Sequence, residues 1–103
     1  MKINIEKSKL KENKESLYNF MRRCGYMPFH NSYIRPLTAF GYPRFHLYII
    51  EETEFQYIFC LHLDQKKPSY GKETAHSGEY EGKVVEEEAK RIKNNLYKKL
   101  LSN

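Results

Sequence analysis

The chain has 103 residues, the size of one domain, and a net charge of +5. Nine Lys and Arg against three Glu give residues 1–50 a charge of +6, whereas residues 51–103 carry −1. The charged start and the lack of a long apolar run argue against a signal peptide and a membrane span. Cys24 and Cys60 lack a metal-binding spacing. We therefore expect reduced, buried thiols and a cytoplasmic protein.

The first half of the chain predicts one helix and one short strand. Residues 1–12 are Lys-rich and form either a flexible basic arm or a short leading strand. From about Asn13 the apolar residues have helical spacing, and Gly25 suits the position just past the helix end. These apolar residues are Leu17, Phe20, Met21 and Cys24. A short strand is expected at Ser32–Arg35, ended by Pro36.

Residues 44–64 predict an antiparallel hairpin, because two β-branched and aromatic runs flank a polar turn at residues 51–54. A four-residue turn there pairs Ile50 with Phe55 and His46 with Phe59. Both faces of this hairpin are mostly apolar. We expect each face to be covered by a helix, by the aromatic segment before the hairpin, or by a partner.

A second helix is predicted from about residue 81 to 101. Its apolar residues recur at helical spacing, and Glu86–Lys90 and Glu87–Arg91 form i,i+4 pairs. The apolar residues are Val85, Ala89, Ile92, Leu96 and Leu100. The chain is therefore expected to be a single small α+β domain with the order α-β-β-β-α. In it, an antiparallel sheet is packed by an N-terminal and a C-terminal helix.

The segment GYPRFH, residues 41–46, lies where the double-stranded RNA-binding domain has a Gly-Pro-x-His turn. This segment and the order of the predicted elements resemble that family. The resemblance implies a three-stranded antiparallel sheet whose strands follow one helix and precede another in the sequence. The family places a Lys-Lys-x-Ala-Lys cluster at the start of its last helix. This chain has Gly82 and Lys83 followed by hydrophobic residues and three glutamates, so the resemblance covers topology only.

A possible metal site lies at the long segment 62–79 between the hairpin and the last helix. An H-x-D pair and an H-x-x-E pair offer ligands of the kind that Zn, Mn or Fe accept. The four candidate ligands are His62, Asp64, His76 and Glu79. A metal held there suits a small metal-dependent hydrolase or phosphoesterase. Folding itself requires no cofactor, because a chain of this length buries enough apolar surface.

The basic first half favours an anionic partner, with RNA or single-stranded DNA expected first. Aromatic residues alternate with cations between residues 26 and 48, a pattern that suits base stacking as well as core packing. The candidate contacts are Arg22, Arg23, Arg35, Arg44, Lys66, Lys67 and Tyr70. A third alternative, without catalysis, is a protein-interaction module or a homodimer that buries the second apolar face of the hairpin. No membrane partner is expected.

Overall fold

The computed structural model describes residues 1–65 and 82–98, together with the backbone of residues 78–79. The elements in chain order are β1 (Lys2–Glu6), α1 (Lys7–Glu12), α2 (Leu17–Arg23), β2 (Met27–Phe29), β3 (Ser32–Pro36), β4 (Arg44–Glu52), β5 (Gln56–Asp64), β6 (Gly78–Glu79) and α3 (Lys83–Tyr97). The predicted fold class is confirmed: this is a small α+β domain in which helices pack on an antiparallel sheet.

The sheet has the strand order β1-β5-β4-β3-β2. β6 pairs with Leu63 and Asp64, so it continues the same edge of β5 that β1 occupies at residues 56–60. The flexible arm considered for residues 1–12 is wrong, because residues 2–6 form β1 and residues 7–12 form α1. Ile3 and Ile5 are buried, and their burial explains why this Lys-rich segment is ordered.

The strand β1 also separates this fold from the topology that GYPRFH suggested. β1 precedes the first helix and pairs with β5. The α-β-β-β-α order has no strand before its first helix. The predicted first helix is interrupted at Lys14, whose φ of 56° is incompatible with a helix. A new helix, α2, starts where the Ser16 hydroxyl accepts a hydrogen bond from the Asn19 N–H at 3.0 Å.

One face of the sheet carries the hydrophobic core, to which α1, α2 and α3 all contribute. Its buried residues are Ile3, Ile5, Leu10, Phe20, Met21, Cys24, Tyr26, Phe45, Leu47, Phe59, Leu61, Leu63, Val85, Ile92 and Leu96. Gly25 ends α2 with a φ of 95°, as its sequence position predicted. A side chain there would also crowd Arg35, since a Cβ would lie 3.3 Å from its Nε.

The register of the hairpin differs from the predicted one. His46 pairs with His62 and Leu47 with Leu61, and the pairing shifts by one residue at Ile50 between Ile49 and Glu51. The turn covers residues 53–55, where the Thr53 side chain accepts hydrogen bonds from the Phe55 and Gln56 N–H groups at 3.1 Å. Relative to the predicted pairing, the partners of residues 44–49 are displaced by three, and an odd displacement moves these side chains to the other face. Phe45 and Leu47 therefore point to the core, and His46 does not.

The face of the sheet opposite the helical core, which no helix of residues 1–65 and 82–98 covers, is called the open face below. It carries the alternate residues of the strands, among them Ile34, His46, His62 and Asp64. Ile34 is buried but is not a member of the core cluster, which agrees with its position on this face. The hairpin residues that are both apolar and exposed, Ile49, Ile50 and Phe55, lie near the turn.

Candidate metal centre

Two histidines meet at the centre of the open face. His46 of β4 lies directly across from His62 of β5, and the His46 Nδ1 is 3.2 Å from the His62 Nε2. The rings meet edge to face with their centroids 4.7 Å apart, and Tyr48 packs against both. The pairing follows from the register, because side chains of directly paired residues stand on the same face.

The hydrogen bonds around Ser32 fix which nitrogen of His46 carries a proton. The Ser32 hydroxyl donates its single hydrogen to the Phe29 carbonyl at 2.6 Å, so it accepts from the His46 Nε2 at 2.8 Å. His46 is then protonated at Nε2 when neutral, and its Nδ1 has a free lone pair. His62 Nε2 lies 3.2 Å from that Nδ1, and its single N–H has two acceptors within reach, His46 Nδ1 and the Asp64 carboxylate.

Asp64 adds a carboxylate to the two imidazoles. Its Oδ1 is 2.9 Å from His62 Nε2, and its Oδ2 accepts a 3.4 Å hydrogen bond from Arg44 Nε. The Arg44 guanidinium lies between two rings, 4.4 Å from the centroid of Tyr42 and 4.8 Å from that of Phe29. Asp64 is therefore fixed from two sides, by an imidazole and by a cation that the aromatic rings hold in place.

Burial keeps both imidazoles neutral near pH 7. His62 is 7% exposed, and removal from water lowers its pKa below the ordinary value, although nearby Asp64 opposes this. Burial also lowers the pKa of His46, and the neighbouring His62 adds to the effect while Asp64 opposes it. Neutral imidazoles are the form that binds metal ions.

The three donor groups are spaced as ligands of one ion would be. His46, His62 and Asp64 each offer an atom within 4.8 Å of the others. Bonds of about 2.05 Å in a tetrahedral site separate neighbouring ligands by about 3.3 Å. The 3.2 Å between the two imidazole nitrogens already matches this spacing. The widest separation between donor atoms is at most 4.8 Å, so it would have to close by up to about 1.5 Å for all three to bind one ion.

The structure brings two of the four predicted metal ligands together. His62 and Asp64 share the open face, as the alternation along β5 predicted. His76 lies outside the described residues, and Glu79 is described only by its backbone, which pairs with Leu63. His46 was missed because the predicted register placed it opposite Phe59. Pairing the apolar run of Phe45 and Leu47 with that of Leu61 and Leu63 would have revealed it.

Four of the predicted nucleic-acid contacts lie within the described residues, and these four arginines lie at different places in the fold. Arg23 makes two hydrogen bonds to Glu15, at 2.7 and 3.0 Å, and one to the Asn95 carbonyl. Arg35 lies on the core side of the sheet beside Glu88, and Arg44 lies on the open face. Arg22 is exposed at the end of α2. Lys66, Lys67 and Tyr70 lie outside the described residues.

Comparison of the chain with models of protein families, with curated proteins and with solved structures finds no match. Within residues 1–65 and 82–98, no helix has the length and apolar character to cross a membrane. The geometry of His46, His62 and Asp64 is therefore the observation from which a function follows.

Proposed function

We propose that this protein binds a divalent transition metal ion through His46, His62 and Asp64 and uses it to hydrolyse a phosphoester. The convergence of two neutral imidazoles and one carboxylate on the open face carries the proposal. Imidazole and carboxylate together suit Zn²⁺, Mn²⁺ and Fe²⁺. Three protein ligands leave a coordination position for water, which distinguishes catalytic from structural zinc sites.

The hydrogen bonds that the candidate ligands make to neighbouring residues favour metal binding over a purely structural hydrogen-bond network. A metal-binding histidine usually donates its other N–H to a fixed acceptor, and His46 Nε2 has that acceptor in Ser32 at 2.8 Å. The Nδ1 lone pair of His46 is thereby oriented before any ion arrives. To bind through Nε2, neutral His62 must carry its proton on Nδ1 instead. Acid converts both imidazoles to imidazolium, which has no free lone pair, so the affinity for metal is expected to fall at acid pH.

Arg44 favours an anionic substrate beside the metal. Within the described part of the chain, only its Nε has a hydrogen-bond acceptor, so Nη1 and Nη2 remain for a ligand. Paired guanidinium donors match the oxygens of a phosphate. A metal ion with bound water next to such a clamp supplies a nucleophile and neutralises the phosphoryl charge. Hydrolysis then adds water to phosphorus as the ester P–O bond breaks.

Nucleic-acid binding stays a prediction, and so does a homodimer. Of the arginines that motivated the first, Arg23 and Arg35 lie within 4.0 Å of a carboxylate oxygen, that of Glu15 and that of Glu88 respectively. Their charges are partly neutralised there, which weakens their support for phosphate contacts. For this reason the geometry favours the metal centre.

The experiment is a metal titration of untagged protein. We expect Zn²⁺ or Mn²⁺ to bind one ion per chain in calorimetry, and Co²⁺ to give visible absorption from a histidine-ligated site. An ion present at about 100 times its Kd should raise the unfolding free energy by about 2.7 kcal/mol. In the metal-loaded protein we expect hydrolysis of bis(p-nitrophenyl) phosphate, and its loss in Arg44→Gln without loss of the metal.

The matched control is His30→Asn. His30 is exposed, lies on the turn between β2 and β3 and has a φ of 46°, which asparagine tolerates. Metal binding should survive this change and be lost in His46→Asn and His62→Asn. If all three variants bind the ion as the parent does, or if the parent binds none, the cluster is a hydrogen-bonded network and the proposal fails.

A further inference from the structure

An open groove of about 500 Å³ lies between the strand β1 and the helix α3, apart from the metal centre. β1 forms one wall with residues 2–4, and α3 forms the other with Ala89, Lys90, Lys93 and Asn94. Ile3 and Ala89 give it an apolar component, and the remaining lining residues are lysines and asparagines. A strand beside a helix is the geometry in which extended peptides dock on other domains.

The backbone of β1 offers hydrogen-bonding groups to this groove. Met1 exchanges backbone hydrogen bonds with Leu61, and the Lys7 N–H donates to the Phe55 carbonyl at 2.9 Å. Odd-numbered residues of β1 therefore face β5, and the N–H and C=O groups of even-numbered residues point away from it. In the described residues, β1 has no strand partner on that outer side. An unpaired strand edge is a template for another strand.

One of these outward groups already has a side-chain partner. Lys93 Nζ donates to the Asn4 carbonyl at 2.6 Å and also contacts Glu6 at 3.0 Å. The outward direction of the even-numbered groups is thus visible in the structure itself. Lysine at an edge can also block strand addition, so Lys93 must release the Asn4 carbonyl before a peptide strand can pair with it.

The charged residues that line the groove indicate which kind of ligand it would bind. Among residues 1–65 and 82–98, neither Lys2 nor Lys90 lies within 4.0 Å of a carboxylate. The ion pair predicted between Lys90 and Glu86 does not form within these described residues. Two unpaired cations beside a strand edge complement an extended chain that carries carboxylates. A nucleic acid could use the cations, but it has no backbone that could continue the sheet.

We infer that the groove between β1 and α3 binds an extended acidic peptide of another protein as an additional strand along β1. The peptide backbone pairs with Lys2 and Asn4, and its carboxylates face Lys2 and Lys90. Its apolar side chains lie on Ile3 and Ala89. This surface is separate from the metal centre, so the two proposals stand or fall independently.

The test is selection of a random library of ten-residue peptides displayed on phage against the full, untagged chain. Enriched peptides should carry acidic residues in an extended, Pro-free sequence. Lys90→Glu should weaken binding of a synthetic copy of the most enriched peptide by about tenfold or more. Lys11→Glu is the matched control, because Lys11 is exposed on α1 and the charge change is identical. It should leave the affinity within about twofold, since distant surface charges are screened.

A second variant, Asn4→Pro, tests whether the peptide binds as an added strand. The Asn4 N–H points away from β5, so proline removes an outward donor without breaking the β1–β5 ladder. An unfolding curve like that of the parent, with peptide binding weakened about tenfold or more, supports strand addition. Undiminished binding in Asn4→Pro, a lack of acidic enrichment, or binding of a uridine oligonucleotide at the groove in place of peptides would each overturn the inference.

Discussion

The glutamate run at residues 86–88 looked uniform in the sequence, but Glu88 differs from its two neighbours in the structure. It is 5% exposed, and it accepts hydrogen bonds from the Tyr26 hydroxyl at 2.7 Å and from Arg91 at 2.8 and 2.9 Å. Arg35 approaches it at 3.4 Å. Through these contacts one carboxylate joins α3 to β3 and to Tyr26, which lies between α2 and β2. We therefore expect Glu88→Ala to destabilise the fold strongly.

The expected loss is about 3 kcal/mol. A buried hydroxyl left without its acceptor costs about 1 to 3 kcal/mol, and Tyr26 is fully buried. Arg91 and Arg35 have side chains that are 36% and 30% exposed, so water partly replaces their lost partner. The two arginines together add about 1 kcal/mol, the scale of partly exposed pairs. For a domain of this size the melting temperature should fall by about 12 to 20 °C.

Urea denaturation of Glu88→Ala and Glu87→Ala measures this difference. Glu87 is exposed on the same helix, so its removal should change stability by less than about 0.5 kcal/mol. Tyr26→Phe combined with Glu88→Ala should cost less than the sum of the single changes, because both remove the same hydrogen bond. A loss below about 1 kcal/mol for Glu88→Ala would show that the carboxylate is not a structural junction.

Three further outcomes are expected. Because burial lowers the pKa of His46 and His62, the unfolded chain binds more protons below about pH 6.5. Stability should be complete above that pH and fall as the pH drops through the folded pKa values, and urea midpoints that do not change between pH 7.5 and pH 5 would contradict this. Ser32→Ala should weaken metal binding about 10- to 100-fold in calorimetry through the loss of His46 orientation, and an unchanged Kd would refute that role. If the predicted nucleic-acid binding occurs, a single-stranded oligonucleotide should bind at about 50 mM salt and less well to Arg22→Glu; no binding there would end that prediction.

The sequence predicted those elements whose apolar periodicity is long and regular. The buried face of α2, the bounds of the hairpin and the buried apolar residues of α3 follow directly from spacing. Predictions were less certain where local signals compete with tertiary contacts. For residues 1–12 the sequence left a flexible arm and a short strand open, because only Ile3 and Ile5 indicate the packing of the strand that forms. Arg91 was expected to pair with Glu87, whereas burial of Glu88 draws it one residue further along the helix.

Two of the three residues of the candidate site could be predicted, because two positions on one strand require no long-range information. His62 and Asp64 are two residues apart on β5, so alternation alone places them together. The contribution of His46 depends on a register that the turn does not determine. The polar turn of the hairpin has no Asn-Gly signal, and several loop lengths fit it equally well.

The bulge at Ile50 decides which residues form the site. Near the turn, Glu52 pairs with Tyr57; continued without interruption, this register would place His46 opposite Leu63 and turn it toward the core. The extra residue shifts the pairing, so that Phe45 meets Leu63 and His46 meets His62. The one extra residue in β4 thus places the phenylalanine beside the leucine in the core and the two histidines beside each other on the open face. Bulges are over-represented beside active sites, where they redirect side chains. The bulge at Ile50 therefore determines both which side chains of β4 pack in the core and which one lies beside His62 on the open face.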